Sequence, residues 1–172
     1  MLKAIGAVLV IASCSAIGLK MSGDLKTRMN QLVLLKRMLL MLRGEIRYAK
    51  TPLPEAFDSI GKRIGNCFGE FLTGLAQKLT EQSGQPFQQL WKEAVDDNLT
   101  ETKLAQEDKE QLKNMGENLG YLDSDMQINT IDLQVEQLEL QLQRLEKGIS
   151  GKTRVYNCLG VFCGILIAIL LL

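Results

Sequence analysis

The sequence predicts an all-α protein, an antiparallel bundle of about six helices set between two apolar terminal helices of membrane length. Three observations carry that prediction. Apolar residues make up 46% of the 172-residue chain, yet aromatics are only 5% and prolines number three; a Leu-, Ile-, Val-, Ala- and Met-rich mixture favours helix over strand. Through the middle of the chain apolar positions recur in steps of three and four, the period of one helix face. At the ends, residues 4–19 and 155–172 carry no charge at all.

The C-terminal run is the clearer span. Eighteen uncharged residues from Val155 to Leu172 rise about 27 Å as a helix, close to the ~30 Å hydrocarbon core. The N-terminal run, residues 1–20, is shorter and contains Ser13 and Ser15; it spans if Lys3 and Lys20 snorkel to the two interfaces. A cleaved signal peptide is the competing reading. Ile11-Ala12-Ser13-Cys14 has the form of a lipobox, with Cys14 the lipidated residue, and that version leaves the middle of the chain outside the membrane. Charge asymmetry favours the retained hairpin: Lys20, Lys26 and Arg28 follow the first run, and Lys152 and Arg154 precede the second. The positive-inside rule then places residues 21–154 in the cytoplasm and both termini outside. These five basic residues are the candidates for contact with anionic headgroups, at about 1 kcal/mol each.

Within 21–154, Leu32, Leu35, Leu39, Leu42, Ile46 and Ala49 form one helical face, and Val33, Leu34, Met38, Leu40 and Met41 fill the others, as in a helix packed on several sides. Thr51-Pro52-Leu53-Pro54-Glu55 predicts a break and a new helix, with Thr51 as N-cap and both prolines in the first turn. Gly61, Gly65, Gly69 and Gly74 leave a boundary near Asn66 open. Ser83-Gly84-Gln85-Pro86 is a turn. A short helix follows over Phe87–Val95 with Leu90, Trp91 and Ala94 inward, and another from about Leu104 to Leu119.

The last helix begins at a Ser124/Gln127 capping box. Ile128, Ile131, Val135, Leu138, Leu142, Leu145 and Ile149 make a heptad seam. Met126, Leu133 and Leu140, seven apart, form a second apolar line on the opposite face. A helix apolar on two faces needs two packing partners: either it is central to its own bundle, or the second line meets another copy or another protein. Gly148 and Gly151, between this helix and the last span, are either a joint or tolerated positions.

Charge is sorted along the middle. Residues 20–50 hold eight basic and two acidic residues; residues 91–125 hold four basic and ten acidic ones. The acidic group, including Asp96, Asp97, Glu107 and Asp108, is read as a solvated face or as a docking surface for a basic partner.

No catalytic, cofactor or metal site is expected. The chain has no His, and so lacks the commonest metal ligand and neutral-pH base. Cys14, Cys67, Cys158 and Cys163 form no CxxC, and three of them lie inside apolar runs where a small soft side chain packs well. There is no GxxxxGK[ST] loop and no GxGxxG. The zero formal net charge argues against nucleic acid as a partner. Asn98-Leu99-Thr100 fits a glycosylation sequon that a cytoplasmic domain does not use.

The order of several short motifs resembles the stage III sporulation protein AB family of endospore-forming Firmicutes, over the full length. These are the N-terminal run beginning Met1-Leu2-Lys3; Glu45-Ile46-Arg47-Tyr48 through Thr51-Pro52-Leu53 to Glu55-Ala56; Leu119-Gly120 leading to Asp125 and Gln127; and Tyr156-Asn157-Cys158-Leu159-Gly160 opening the last span. The resemblance implies a cytoplasmic helical domain similar to GspF, the platform protein of type II secretion systems. It also implies a place in the secretion-like assembly between mother cell and forespore, in the mother-cell membrane facing the forespore. The partners it implies are a secretion-type ATPase (stage III sporulation protein AA), the other stage III A-operon membrane proteins and the forespore's stage II sporulation protein Q. It brings no catalytic residues and no cofactor.

The leading expectation is therefore a non-enzymatic membrane platform linking a cytoplasmic ATPase to channel components. Its candidate contacts are Met126, Leu133 and Leu140 first, and Asp96, Asp97, Glu107 and Asp108 second. The alternatives are a homodimeric coiled-coil tether paired through the heptad seam, and a lipoprotein with an extracytoplasmic binding domain.

Overall fold

The computed structural model describes residues 2–81, 84–120 and 123–171; the side chains of residues 2–5, 7–12, 14–15 and 149–171 lie outside that description. Among the described residues every regular element is helical: α1 (Leu2–Gly44), a π-helical turn (Glu45–Ala49), α2 (Leu53–Ile64), α3 (Asn66–Thr80), α4 (Phe87–Leu99), α5 (Gln106–Leu119) and α6 (Ser124–Leu171). The chain divides into two compact units, Asn30–Leu142 and Met1–Met29 with Gln143–Leu172. The expected spans, 1–20 and 155–172, fall mostly on helix whose side chains lie outside the described residues. Among those that are described, no helix is long and apolar enough to cross a membrane.

In the larger unit, α2 packs on α3, α3 on α4 and α4 on α5. Its core is built on aromatics despite their scarcity. Phe57 of α2, Phe71 of α3 and Phe87 and Trp91 of α4 form one cluster, with Trp91 edge-on to Phe71 at a centroid distance of 5.1 Å and Phe57 stacked on Phe87 at 6.2 Å. Such pairs add about 0.5–1.5 kcal/mol beyond the area they bury. The indole N–H of Trp91 donates to the Leu112 carbonyl at 2.8 Å, so the one polar atom of the buried ring is satisfied.

The α1 and α6 segments of this unit run antiparallel. Lys36 Nζ lies 2.8 Å from Glu139 Oε1 and Arg43 Nε 2.8 Å from Asp132 Oδ1. Seven residues forward on α1 are thus matched by seven residues back on α6. The Arg43 Nε–H is not aligned on the carboxylate despite that short separation. Leu32, Leu35, Met38, Leu39, Leu42 and Ile46 of α1 are buried, as are Ile128, Ile131, Val135, Leu138 and Leu142 of α6. From Ile128 to Leu142 the heptad seam of α6 is filled by the unit's own core, which corrects the reading of a two-stranded coiled coil paired through that stretch; Leu145 is half-buried in the smaller unit, and Ile149 lies outside the described side chains. Of the residues expected on the further faces of α1, Met38 is buried and Leu34 and Met41 are half-buried, while Val33 and Leu40 are exposed.

The helix starts differ from expectation in detail. Pro52, not Thr51, occupies the N-cap of α2; the Thr51 hydroxyl instead donates to Glu45 Oε2 at 3.1 Å and fastens the π turn. The break near Asn66 is a sharp corner: Gly65 and Asn66 both have positive φ, and Asn66 Oδ1 accepts from the Phe68 N–H at 3.1 Å. The cap of α6 is Asp123, whose Oδ1 accepts from the Met126 N–H at 2.9 Å. Gln127, expected to close a box with Ser124, donates from Nε2 to the Leu119 carbonyl at 2.6 Å and ties α6 to the end of α5. Side-chain donors and acceptors are interchangeable between neighbouring positions in sequence, and tertiary contacts chose among them.

In the smaller unit Gly18 and Ser22, one turn apart, are buried, while Ile17, Leu19 and Met21 are exposed. The α6 backbone stays helical through Gly148 and Gly151.

Candidate protein-interaction surface

Met126, Leu133 and Leu140 are 50%, 60% and 48% exposed. A helix turns about 100° per residue, so Leu133 and Leu140, each one residue past Asp132 and Glu139, point about 100° beyond the ion-paired row and away from the buried seam. The second apolar line of α6 therefore faces outward rather than into the bundle. Val33 and Leu40, 49% and 39% exposed, lie about 40–60° past the Lys36/Arg43 row on α1, again away from the core. The two lines flank the ion pairs on one outer face of the α1–α6 pair. Beside Leu133, a shallow cleft of about 300 Å³ opens between α5 and α6, lined by Gln111, Asn114, Asn118, Thr130 and Gln137. The face thus has an apolar centre and an amide-rich rim.

Val33 and Leu40 were not among the residues expected to meet a partner. Their seven-residue spacing was legible, but which face of α1 turns outward depends on where α6 lies.

The acidic group separates into different roles. Asp96 and Asp97 are exposed on α4: Asp96 pairs with Lys113 at 2.7 Å and Asp97 with Lys78 at 3.5 Å. Glu107 is exposed. Asp108 departs from the expected acidic face, being only 2% exposed. Its Oδ2 accepts from the Ala105 N–H at 2.7 Å, capping α5, and Oδ1 accepts from Gln141 Nε2 of α6. A carboxylate at the third position of a helix reaches back to a free backbone donor, and that geometry draws it inward.

Titration follows these contacts. The hydrogen bond from Lys113 to Asp96 holds the ammonium above its ordinary range, aided by Glu110 and opposed by burial. On α5, Glu117 is held below the usual carboxylate range by hydrogen bonds from Lys92 and then Gln88, at 2.8 Å and 2.7 Å. Burial pushes the Cys67 thiol up, against backbone hydrogen bonds that lower it.

Of the expected membrane-surface residues, Lys20 and Lys26 are exposed and Arg28 is half-buried; Lys152 and Arg154 lie outside the described side chains. Among the described residues no group of three His, Cys, Asp or Glu side chains could hold a metal ion. A second open cleft, about 630 Å³, lies between α2 and α3 and is lined by Glu55, Asp58, Lys62, Thr73 and Gln77 among others; the Lys62 ammonium there is engaged by Asp58 at 2.6 Å.

Comparison with known proteins points to one family. The stage III sporulation protein AB of Bacillus subtilis (strain 168) is 27% identical over 172 residues, covering all of both chains. A solved structure of a stage III sporulation protein AB superposes with a TM-score of 0.65 at 26% identity, covering 72% of this chain and 97% of that one. The family model for stage III sporulation protein AB matches residues 3–172, and the chain belongs to that family.

Proposed function

We propose that this protein is a non-enzymatic membrane platform of the sporulation machinery, holding a helical docking unit at the cytoplasmic face of the mother-cell membrane that faces the forespore. The observation that carries the reading is the outward apolar line Met126, Leu133 and Leu140. These side chains leave the core of their own unit intact and offer a partner a row of exposed apolar groups, one every two helical turns. Family membership supplies the sporulation context.

The membrane anchorage rests on the two uncharged ends, 4–19 and 155–172. In the smaller unit the small residues Gly18 and Ser22 are covered while Ile17 and Leu19 are exposed, the arrangement of helices that pack closely within lipid. Lys20, Lys26, Arg28, Lys152 and Arg154 then hold the headgroup region. The exposed carboxylates Asp96, Asp97 and Glu107 provide a second docking surface, separate from the apolar line and suited to a basic partner. The proposed partners are the secretion-type ATPase of the assembly, stage III sporulation protein AA, and the other stage III A-operon membrane proteins.

Two measurements test this. A single cysteine at Gln85, an exposed turn position, in a chain whose native cysteines are replaced, resists a membrane-impermeant maleimide in intact cells and reacts after permeabilisation. Labelling of intact cells would overturn the cytoplasmic placement. In a spore-forming host lacking its own copy, L133Q/L140Q lowers spore yield at unchanged protein level; unchanged yield would remove the docking role from this face.

A further inference from the structure

The cleft beside Leu133 is walled by side-chain amides. On α5 they form one stripe, Gln111, Asn114 and Asn118; on α6 they are Gln134 and Gln137. Met115 and Leu133 supply the apolar part. Two ties hold α5 and α6 together, Gln127 to the Leu119 carbonyl at one end and Gln141 to Asp108 at the other, and the cleft stays open between them. Elsewhere in this unit amides are engaged in the same way: Gln88 bonds to Glu117 and Gln106 to Glu110. The amides of the cleft make no hydrogen bond among the described residues, although Gln111 and Gln134 are half-buried. The cleft is a run of unused donors and acceptors without charge.

We infer that it holds an extended peptide segment of another protein, uncharged where it crosses the amides and basic at the end nearest Glu107. This deepens the docking-face reading and rests on it. A side-chain amide carries a carbonyl acceptor and N–H donors, the same pair as a peptide group. A docking helix satisfies its own backbone and seeks an apolar groove. An extended segment keeps its peptide groups free, and they need partners once water is excluded. The spacing agrees. Asn114 and Asn118 are about 6 Å apart along α5, close to the ~6.8 Å between peptide groups that face the same way on an extended chain. Laid along the cleft, such a segment turns its backbone edges to the two walls and every second side chain to Met115 and Leu133.

Charge fixes the direction. No ionisable side chain lines the cleft. Glu107 stands one turn before Gln111 on the same stripe of α5, is exposed and has no ionic partner among the described residues. Its neighbour Asp108 is occupied by the Ala105 N–H and Gln141. Glu107 is therefore the group that meets a cationic residue at that end of the segment.

The test uses the full chain, solubilised in detergent and immobilised, with a library of short synthetic peptides in which Ser or Thr alternates with Val, Ile or Leu and Arg stands at one end. Wild type retains members of this library. N114A/N118A lowers their retention at least about fivefold, as expected for two lost hydrogen bonds, and so does N-methylation of the peptide backbone. E107K lowers retention of Arg-ended peptides to that of the same sequences ending in Gln. Absence of retention by wild type, or retention that N114A/N118A or N-methylation leaves unchanged, overturns the inference; equal retention of Arg-ended and Gln-ended peptides by wild type overturns its basic end. Retention of an Ala- and Leu-rich amphipathic helix instead, with L133Q/L140Q still lowering spore yield, assigns the face to a helix: the extended segment falls and the docking reading stands. A second copy of this chain, whose described regular elements are all helical, belongs to that outcome. If neither probe is retained and spore yield is unaffected, both readings fall.

Discussion

Gly116 of α5 and Trp91 of α4 touch so closely that a methyl group on the glycine would lie 2.1 Å from Trp91 Cδ1. This contact lets α5 press its backbone against the indole face, while the indole N–H reaches the Leu112 carbonyl one turn away. The only tryptophan of the chain therefore serves as both ring and hydrogen-bond donor at one helix crossing. Gly116→Ala is expected to destabilise the protein by about 1–3 kcal/mol, the cost of overpacking a site that cannot expand freely. Trp91→Phe is expected to cost about 1–2 kcal/mol from the lost hydrogen bond and volume. Denaturant unfolding of the detergent-solubilised chain, followed by circular dichroism, measures both.

Asp108 was a candidate for partner contact and is instead a structural carboxylate. Asp108→Ala removes the α5 cap and the Gln141 contact, leaving polar groups of both helices without this partner. The expected loss is about 2–3 kcal/mol, read by the same unfolding. Glu107→Ala, on the neighbouring exposed position, is expected to stay within about 0.5 kcal/mol.

The two apolar lines of α6 are separable by substitution. Ile131→Ala, in the filled seam, is expected to cost about 2–5 kcal/mol. Leu133→Gln and Leu140→Gln together are expected to change stability by less than about 1 kcal/mol while lowering spore yield. A large fall in unfolding midpoint for the Leu133/Leu140 pair would show that it belongs to the core.

Glu117 gives a pH signature. Its folded-state acidity is raised by Lys92 and Gln88, so its pKa lies below the unfolded value. The contribution is complete above the ordinary glutamate pKa, roughly 4.3, and fades as pH falls through the depressed folded value. Urea midpoints compared at neutral pH and at roughly pH 3.5 are expected to fall further for wild type than for Glu117→Gln. Equal falls would show that the contact does not contribute in solution. Because the group is at the surface, added salt should shrink the difference.

Local sequence carried much of this. Apolar steps of three and four placed α1, α4 and α6 and most of their inward residues, because side-chain burial follows helical period; Ala49, expected on the inward face of α1, is instead exposed at the end of the π-helical turn. The seven-residue line Met126, Leu133 and Leu140 was visible as well, and the short motifs identified the family. Caps were misplaced by a residue because Thr51, Asp123, Ser124 and Gln127 can all bond to a free helix end, and neighbouring elements select among them. Asp108 and Glu107 are chemically alike and adjacent, yet one is buried and the other exposed: Asp108 alone stands where it reaches the Ala105 N–H at the helix start and Gln141 of α6.

Sequence by itself determined that the chain is helical, that its ends are uncharged, and that α6 is apolar on two sides, since periodicity and composition are local properties of the chain. Which of those two sides is core was decided by tertiary structure. Lys36 meeting Glu139 and Arg43 meeting Asp132 fix how α1 and α6 lie together. Burial is a relation between helices, so no single helix specifies which of its faces the rest of the chain will cover.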